Sequence, residues 1–212
     1  MYKMKKMIVT LIMLIIIYFT TEWIVRGLHY IVFDSNTYLS FVSPILHWTK
    51  YLAVAFILIW LFKKYVPLAH AGKIMISIAL ILIPLMFVIA SLWFNAVKEE
   101  KIVKHRIFSH TVNTWEEVES VSTNIYRKRS TSMGAKNHLT PSKLIVNYNI
   151  HLVDGSVIDV WNDLESMYVL HQFVLANNID VEYLSDVEHF DQKFASYFKD
   201  SLDKAHLVFG IK

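Results

Sequence analysis

The chain has 212 residues, 55% of them apolar, a net charge of +3 and no cysteine. That apolar share exceeds what a soluble globule normally carries, and the absence of cysteine excludes disulfides, thiolate metal sites and cysteine nucleophiles. The small net charge conceals two unlike halves: residues 1–97 carry eight Lys/Arg against two acids, Glu22 and Asp34, whereas residues 98–212 carry thirteen against sixteen.

A transmembrane helix needs about 20 mostly apolar residues to cross a hydrocarbon core about 30 Å thick. Three segments meet that requirement, at about 7–26, 44–62 and 74–97. Ser43 followed by Pro44 reads as an N-cap with proline at the first helical position. Trp23, Tyr30, Tyr38, Trp48, Trp60 and Trp93 fall near segment ends, as aromatic-belt residues do. Pro84, midway along the third segment, is expected to kink it. The start "MYKMKK" and the run after it imitate a secretory signal, but no small-x-small cleavage site precedes Tyr30, so the segment reads as an uncleaved anchor.

Lys3, Lys5 and Lys6 precede the first span, and Lys63, Lys64 and Lys73 flank the link between the second and third; "FDSNTYLSFVSP" between the first and second has none. By the positive-inside rule the N-terminus is cytoplasmic and, with three spans, the C-terminal domain is extracytoplasmic. Lys50, and the group Lys98, Lys101, Lys104 and Arg106, pull the other way, and loss of one span reverses the orientation. The polar pair in the first span, Glu22 and Arg26, has the i, i+4 spacing of an ion pair, with His29 one further turn on. An interfacial salt bridge is the favoured reading over a proton path; His47 and Lys50, near the outer end of the second span, are placed to join it. No small-xxx-small stripe, inverted repeat or pair of broken helices marks a transporter.

Near residue 98 the pattern changes. "KIVKHRIFSHTV" reads as one extended strand, which would point His105 and His110 to opposite faces. Thr114 and Glu117 then supply a T-x-x-E capping box opening a single short turn, with Trp115, Val118 and Val121 on its apolar side and Glu116 and Glu119 in water. This makes the glutamates of "NTWEEVESV" structural rather than catalytic. A second strand at about 121–129 leads into the irregular "STSMGAKNHLTPS". In "KLIVNYNIHLVDGSVIDVW", Leu144, Val146, Tyr148, Ile150 and Leu152 alternate with polar residues, and Asp154–Gly155 predicts a two-residue type I′ hairpin turn. Asn162 and Glu165 form a further capping box before a helix ending at Asn177 and Asn178. Residues 181–212 are read mainly as one amphipathic helix, with Val187, Phe190, Phe194, Tyr197, Phe198 and Leu202 on its apolar side.

The order strand, "TWEEVESV", strand, "DG" hairpin, helix resembles the bacterial pleckstrin-homology-like (PH-like) domains found at the C-termini of small membrane proteins. The resemblance is carried by Trp115 to Val121 and by Asp154, Gly155 and Trp161, and covers residues 98–180. About four strands are legible where that fold has seven, so the sheet reads as half a barrel, open at one edge. The resulting fold class is an α-helical membrane anchor of three transmembrane helices followed by a small α+β PH-like domain with an antiparallel sheet and C-terminal helices. The resemblance implies a non-enzymatic binding or scaffold module; the alternative is a regulatory or sensory accessory subunit of another membrane complex. PH-like folds often recruit anionic head groups through basic loops, and the residues suited to such a contact, or to a partner, are Arg127, Lys128, Arg129, Lys136 and Lys143. The bilayer, anionic lipid and another membrane protein are the partners considered; no nucleic acid, cofactor or metal is expected. No H-E-x-x-H or H-x-H spacing, G-x-S-x-G element or phosphate loop points to catalysis.

Overall fold

The computed structural model describes residues 2–65, 69–106, 108–128, 143–185 and 188–211. The chain divides into two compact units. One comprises Met1–Thr37, Ser43–Phe94 and His105–His110; the other comprises Tyr38–Val42, Asn95–Lys104 and Thr111–Lys212.

The first unit is built on α1 (Tyr2–Phe33), α2 (Leu46–Tyr65) and α3 (His70–Ser91). By length and composition α1 (from Thr10) and α3 are apolar enough to cross a membrane, whereas the apolar part of α2, Leu46–Leu61, is shorter. Their outer faces carry large apolar side chains that touch little of the protein: Phe19 and Trp23 are 67% and 79% exposed, Met75 and Ile81 71% and 70%. Hydroxyls within these helices turn back onto their own backbone, as Thr21 does on Ile17 O (2.5 Å) and Ser91 on Phe87 O (2.9 Å), so they add little polarity to an apolar surface. Pro84 lies inside α3, where it cannot donate to the Leu80 carbonyl.

The third apolar segment does not stay helical to residue 97: α3 ends at Ser91 and Phe94–Val97 form a buried strand. The helix end is closed by side chains. His29 Nε2 lies 2.6 Å from Ser91 O and His105 Nδ1 2.5 Å from Leu92 O, each facing a carbonyl that can only accept, while the Ser43 hydroxyl donates to Trp93 O (2.9 Å). Ser91 O and Leu92 O, at the helix end and its cap, are carbonyls left without an intrahelical partner. With these partners the chain leaves the helix here while the carbonyls of Ser91, Leu92 and Trp93 stay hydrogen-bonded.

A sheet of order β1-β2-β3-β4 contains β1 (Ser40–Val42), β2 (Phe94–Val97), β3 (Ile102–Arg106) and β4 (Ser109–Asn113). The link after the first apolar segment thus supplies a strand, with Ser40 opposite Val97 and Val42 opposite Asn95, antiparallel. "KIVKHRIFSHTV" is two strands, and the reversal between them brings the rings of His105 and His110 to 5.3 Å, edge to face. The opposite-face expectation for these histidines fails because strand alternation holds only within one strand.

The second sheet, of order β7-β6-β5-β8, contains β5 (Val118–Lys128), β6 (Lys143–Leu152), β7 (Val157–Asp159) and β8 (Val181–Tyr183). β5, β6 and β7 are antiparallel neighbours, with a register irregularity between Val118 and Ser120. β8 runs parallel to β5, reached through α4 (Leu164–Ala176). The alternation read in β6 is real at Tyr148, Ile150 and Leu152, which are buried. The hairpin loop differs from the type I′ expectation. Gly155 N–H bonds Leu152 O and Leu152 N–H bonds Ser156 O, a three-residue loop in which Gly155 alone takes positive φ (79°). The cap of α4 is Asp163 rather than Asn162: its carboxylate accepts from Ser166 N–H (2.9 Å) and the Ser166 hydroxyl (2.9 Å).

The tail is not one helix. β8 takes Val181–Tyr183, α5 runs over Phe190–Phe198, and α6 runs over Leu202–Phe209, with Lys199 at φ 48° between them. A straight helix would set Phe190 and Phe209 about 28 Å apart. Their rings are 5.9 Å apart, and Phe198 lies 6.0 Å from Phe209, so aromatic packing folds the segment back on itself. Val187 lies outside the described residues, and Tyr197 is exposed. The core of this unit joins Val97 and Ile102 to Val121, Ile125, Tyr148, Ile150, Met167, Leu170, Val174 and the phenylalanines of α5 and α6. Ser40 Oγ donates to Val160 O (2.6 Å) and Asn95 Nδ2 to Asp159 O (2.7 Å), tying β1 and β2 to the strand end that precedes α4.

Candidate functional site

The basic residues singled out in the sequence gather at the far end of the β5–β6 ladder. Lys128 stands directly opposite Lys143, and Arg127 opposite Leu144; all three cations are exposed. Like charges across a ladder repel, so an anion placed there relieves a strain the sequence builds in. Arg127 is partly committed elsewhere, its Nη2 donating to Lys193 O (2.7 Å) on α5. Arg129 and Lys136 lie outside the described residues.

In the first unit, Arg26 Nη2 donates to Glu22 Oε1 at 3.0 Å, the pairing that their spacing implies. Lys50 of α2 adds a second cation, 3.8 Å from Glu22 Oε2, with its ammonium 5.1 Å from the Tyr18 ring centre. His47 instead packs beside Trp48, and His29 points to the end of α3. Tyr18, Phe19, Glu22, Trp23, Arg26 and Lys50 line a groove of about 680 Å3.

The capping box of "NTWEEVESV" is present, and its helix is one 3-10 turn, Trp115–Glu117. Glu117 Oε2 accepts from Thr114 N–H (3.0 Å) and Asn113 Nδ2 (3.1 Å). The Trp115 indole donates to Lys98 O (3.0 Å) and its ring packs on Phe173. Trp115 and Glu117 therefore brace the entry to β5.

No family model matches this chain, and comparison with curated proteins and with solved structures finds no match.

One polar group in the core was not singled out in the sequence. His171, fully buried on α4, has Tyr148 Oη 3.2 Å from Nδ1 and Tyr183 Oη 3.3 Å from Nε2. A neutral imidazole donates from one nitrogen and accepts at the other, so two hydroxyls satisfy it completely. Burial depresses its pKa to about 4 and pushes the Tyr148 hydroxyl far up, so both are neutral at physiological pH. The signal lay in α4's own stripe: Met167, Leu170 and Val174 at helical spacing bracket position 171. Among the described residues, no three His, Asp or Glu side chains stand close enough together to hold a metal ion.

Proposed function

We propose that this chain is an integral membrane protein, crossing the bilayer through α1, α2 and α3 and presenting a PH-like α+β domain that works by binding rather than by chemistry. The observation that carries the reading is the bare apolar surface of α1 and α3. Side chains such as Phe19, Trp23, Met75 and Ile81 leave most of their surface exposed, and about 25 cal/mol per Å2 of apolar surface favours removing such a face from water. Lipid removes it all at once. The third crossing is supported by length: the 20 residues of α2 reach about 30 Å, with Lys50 and Lys63 near its ends where long side chains snorkel to the interface.

Strands β2 to β7 followed by α4 support the PH-like reading, and the parallel strand β8, which comes after that helix, is a departure from it. The ligand expected at the domain is an anionic surface or partner, met by Lys128 and Lys143 at the ladder end with Arg127 beside them. The lysine bias of the loops supports a cytoplasmic N-terminus and an extracytoplasmic domain.

The test takes the full chain in cell membranes. Resistance to alkaline carbonate extraction is expected, together with protease cleavage of a C-terminal tag in intact cells. Release by carbonate overturns the membrane reading, and a protected tag overturns the orientation. Copurification of a stoichiometric protein in mild detergent, lost when Lys128 and Lys143 become Glu, replaces the lipid partner with a protein one.

A further inference from the structure

We infer that Arg26 and Lys50 form a binding site for the phosphate of an anionic phospholipid, held in the groove between α1 and α2. The inference rests on the membrane-spanning reading above and involves residues remote in sequence from the basic ladder end.

Depth is the first argument. Counting from Lys6, Glu22 lies about 24 Å along α1, and from Lys63, Lys50 lies about 20 Å along α2. Stretches of this length approach the thickness of a bilayer core, so Glu22, Arg26 and Lys50 fall where hydrocarbon gives way to head groups. Trp23, exposed at 79%, and Trp48, exposed at 56%, mark the same level as an aromatic belt does.

Charge is the second argument. Glu22 holds both cations at once, at 3.0 Å from Arg26 and 3.8 Å from Lys50, which orders them but neutralises only one. One positive charge is left, the complement of one phosphodiester. Arg26 has five N–H donors and the described contact with Glu22 uses a single nitrogen, while Lys50 has three donors. The side chain of Arg26 is 57% exposed, which leaves it accessible to a further acceptor. The groove of about 680 Å3 that the three charged residues share with Tyr18, Phe19 and Trp23 supplies apolar walls for the glycerol and upper chain. A zwitterionic lipid brings its own ammonium and leaves the site's charge uncompensated, so an anionic head group is preferred.

The experiment is native mass spectrometry of the delipidated full chain in mild detergent, titrated with phosphatidylglycerol or phosphatidylcholine. Phosphatidylglycerol is expected to be retained over phosphatidylcholine, and retention to fall about fivefold for each of Arg26→Gln and Lys50→Gln. Arg26→Lys keeps the charge and is expected to keep the lipid. Glu22→Gln removes the competing carboxylate and is expected to raise phosphatidylglycerol retention, whereas a purely structural ion pair predicts no gain. Unchanged retention in the Arg26→Gln, Lys50→Gln double variant overturns the proposal, as does equal retention of the two lipids. Full displacement by inorganic phosphate overturns the lipid source, and a copurifying protein lost in the double variant overturns it in favour of a protein carboxylate. Circular dichroism of each variant identifies a misfolded one, in which case Arg26→Lys and Glu22→Gln decide. Carbonate extraction separates failure of this site from failure of the membrane reading.

Discussion

His171 shows what one buried side chain contributes. Its pKa of about 4 in the fold against about 6.5 when unfolded means that between those values the unfolded chain binds the extra proton. Stability from this group is therefore intact above pH 6.5 and declines as pH falls toward 4, by roughly 3 kcal/mol in all. Thermal unfolding of the full chain in detergent, followed between pH 7 and pH 4, is expected to show that fall; His171→Gln, which cannot take up the proton, is expected to flatten it while lowering stability at pH 7. A slope equal in both proteins would assign the acid sensitivity to other groups. The position was legible as a member of α4's buried stripe, but its two tyrosine partners come from β6 and β8, and no spacing rule links 148, 171 and 183.

The closing helix shows how an element's end is fixed by what packs on it. α6 stops at Gly210, whose φ of 67° is the left-handed turn, with Ile211 N–H returning to His206 O (2.8 Å). A methyl group at this position would lie 2.4 Å from the Tyr183 ring, the same ring that carries its hydroxyl to His171. Gly210→Ala thus combines backbone strain of about 1–2 kcal/mol with a clash against a ring whose hydroxyl is held by His171. A loss of at least about 2 kcal/mol is expected in chemical denaturation, and a variant within experimental error of the parent would show that Tyr183 shifts freely. The capping box at Thr114 and the C-terminal asparagines of α4 were readable because each depends on residues a few positions apart. The cap at Asp163 was misplaced by one residue because Asn162 fits the same pattern, and the choice went to the carboxylate that reaches both Ser166 donors. The break at Lys199 had no local marker: the phenylalanine cluster imposes it.

For the molecule as a whole, the change in burial near residue 98 is only part of the division. Tyr38–Val42 and Asn95–Val97 belong with the second unit, where Val97 and Ala96 are fully buried and Ser40 and Asn95 bond the carbonyls of Val160 and Asp159. A fragment of residues 98–212 lacks β1 and β2, exposes the core at Ile102 and leaves those carbonyls unpaired. It is expected to be aggregation-prone or only partly folded, with poor dispersion in a proton NMR spectrum. Adding residues 94–97 and a linked copy of 38–42 is expected to restore a cooperative fold. A well-dispersed spectrum from 98–212 alone would show the two strands to be dispensable. The sequence by itself determined the approximate course of the apolar helices, though not the end of the third, together with the alternation of β6, the capped turn at Trp115 and the charge asymmetry of the halves, because each is written in neighbours one to four positions apart. Only the tertiary structure decided that three residues at 40–42 form a strand with 95–97, that β8 joins β5 in parallel, that the tail doubles back, and that of His47 and Lys50 it is Lys50 that joins the Glu22–Arg26 pair. Those outcomes depend on which distant surfaces exclude water together, and that energy belongs to pairs of segments rather than to either one alone.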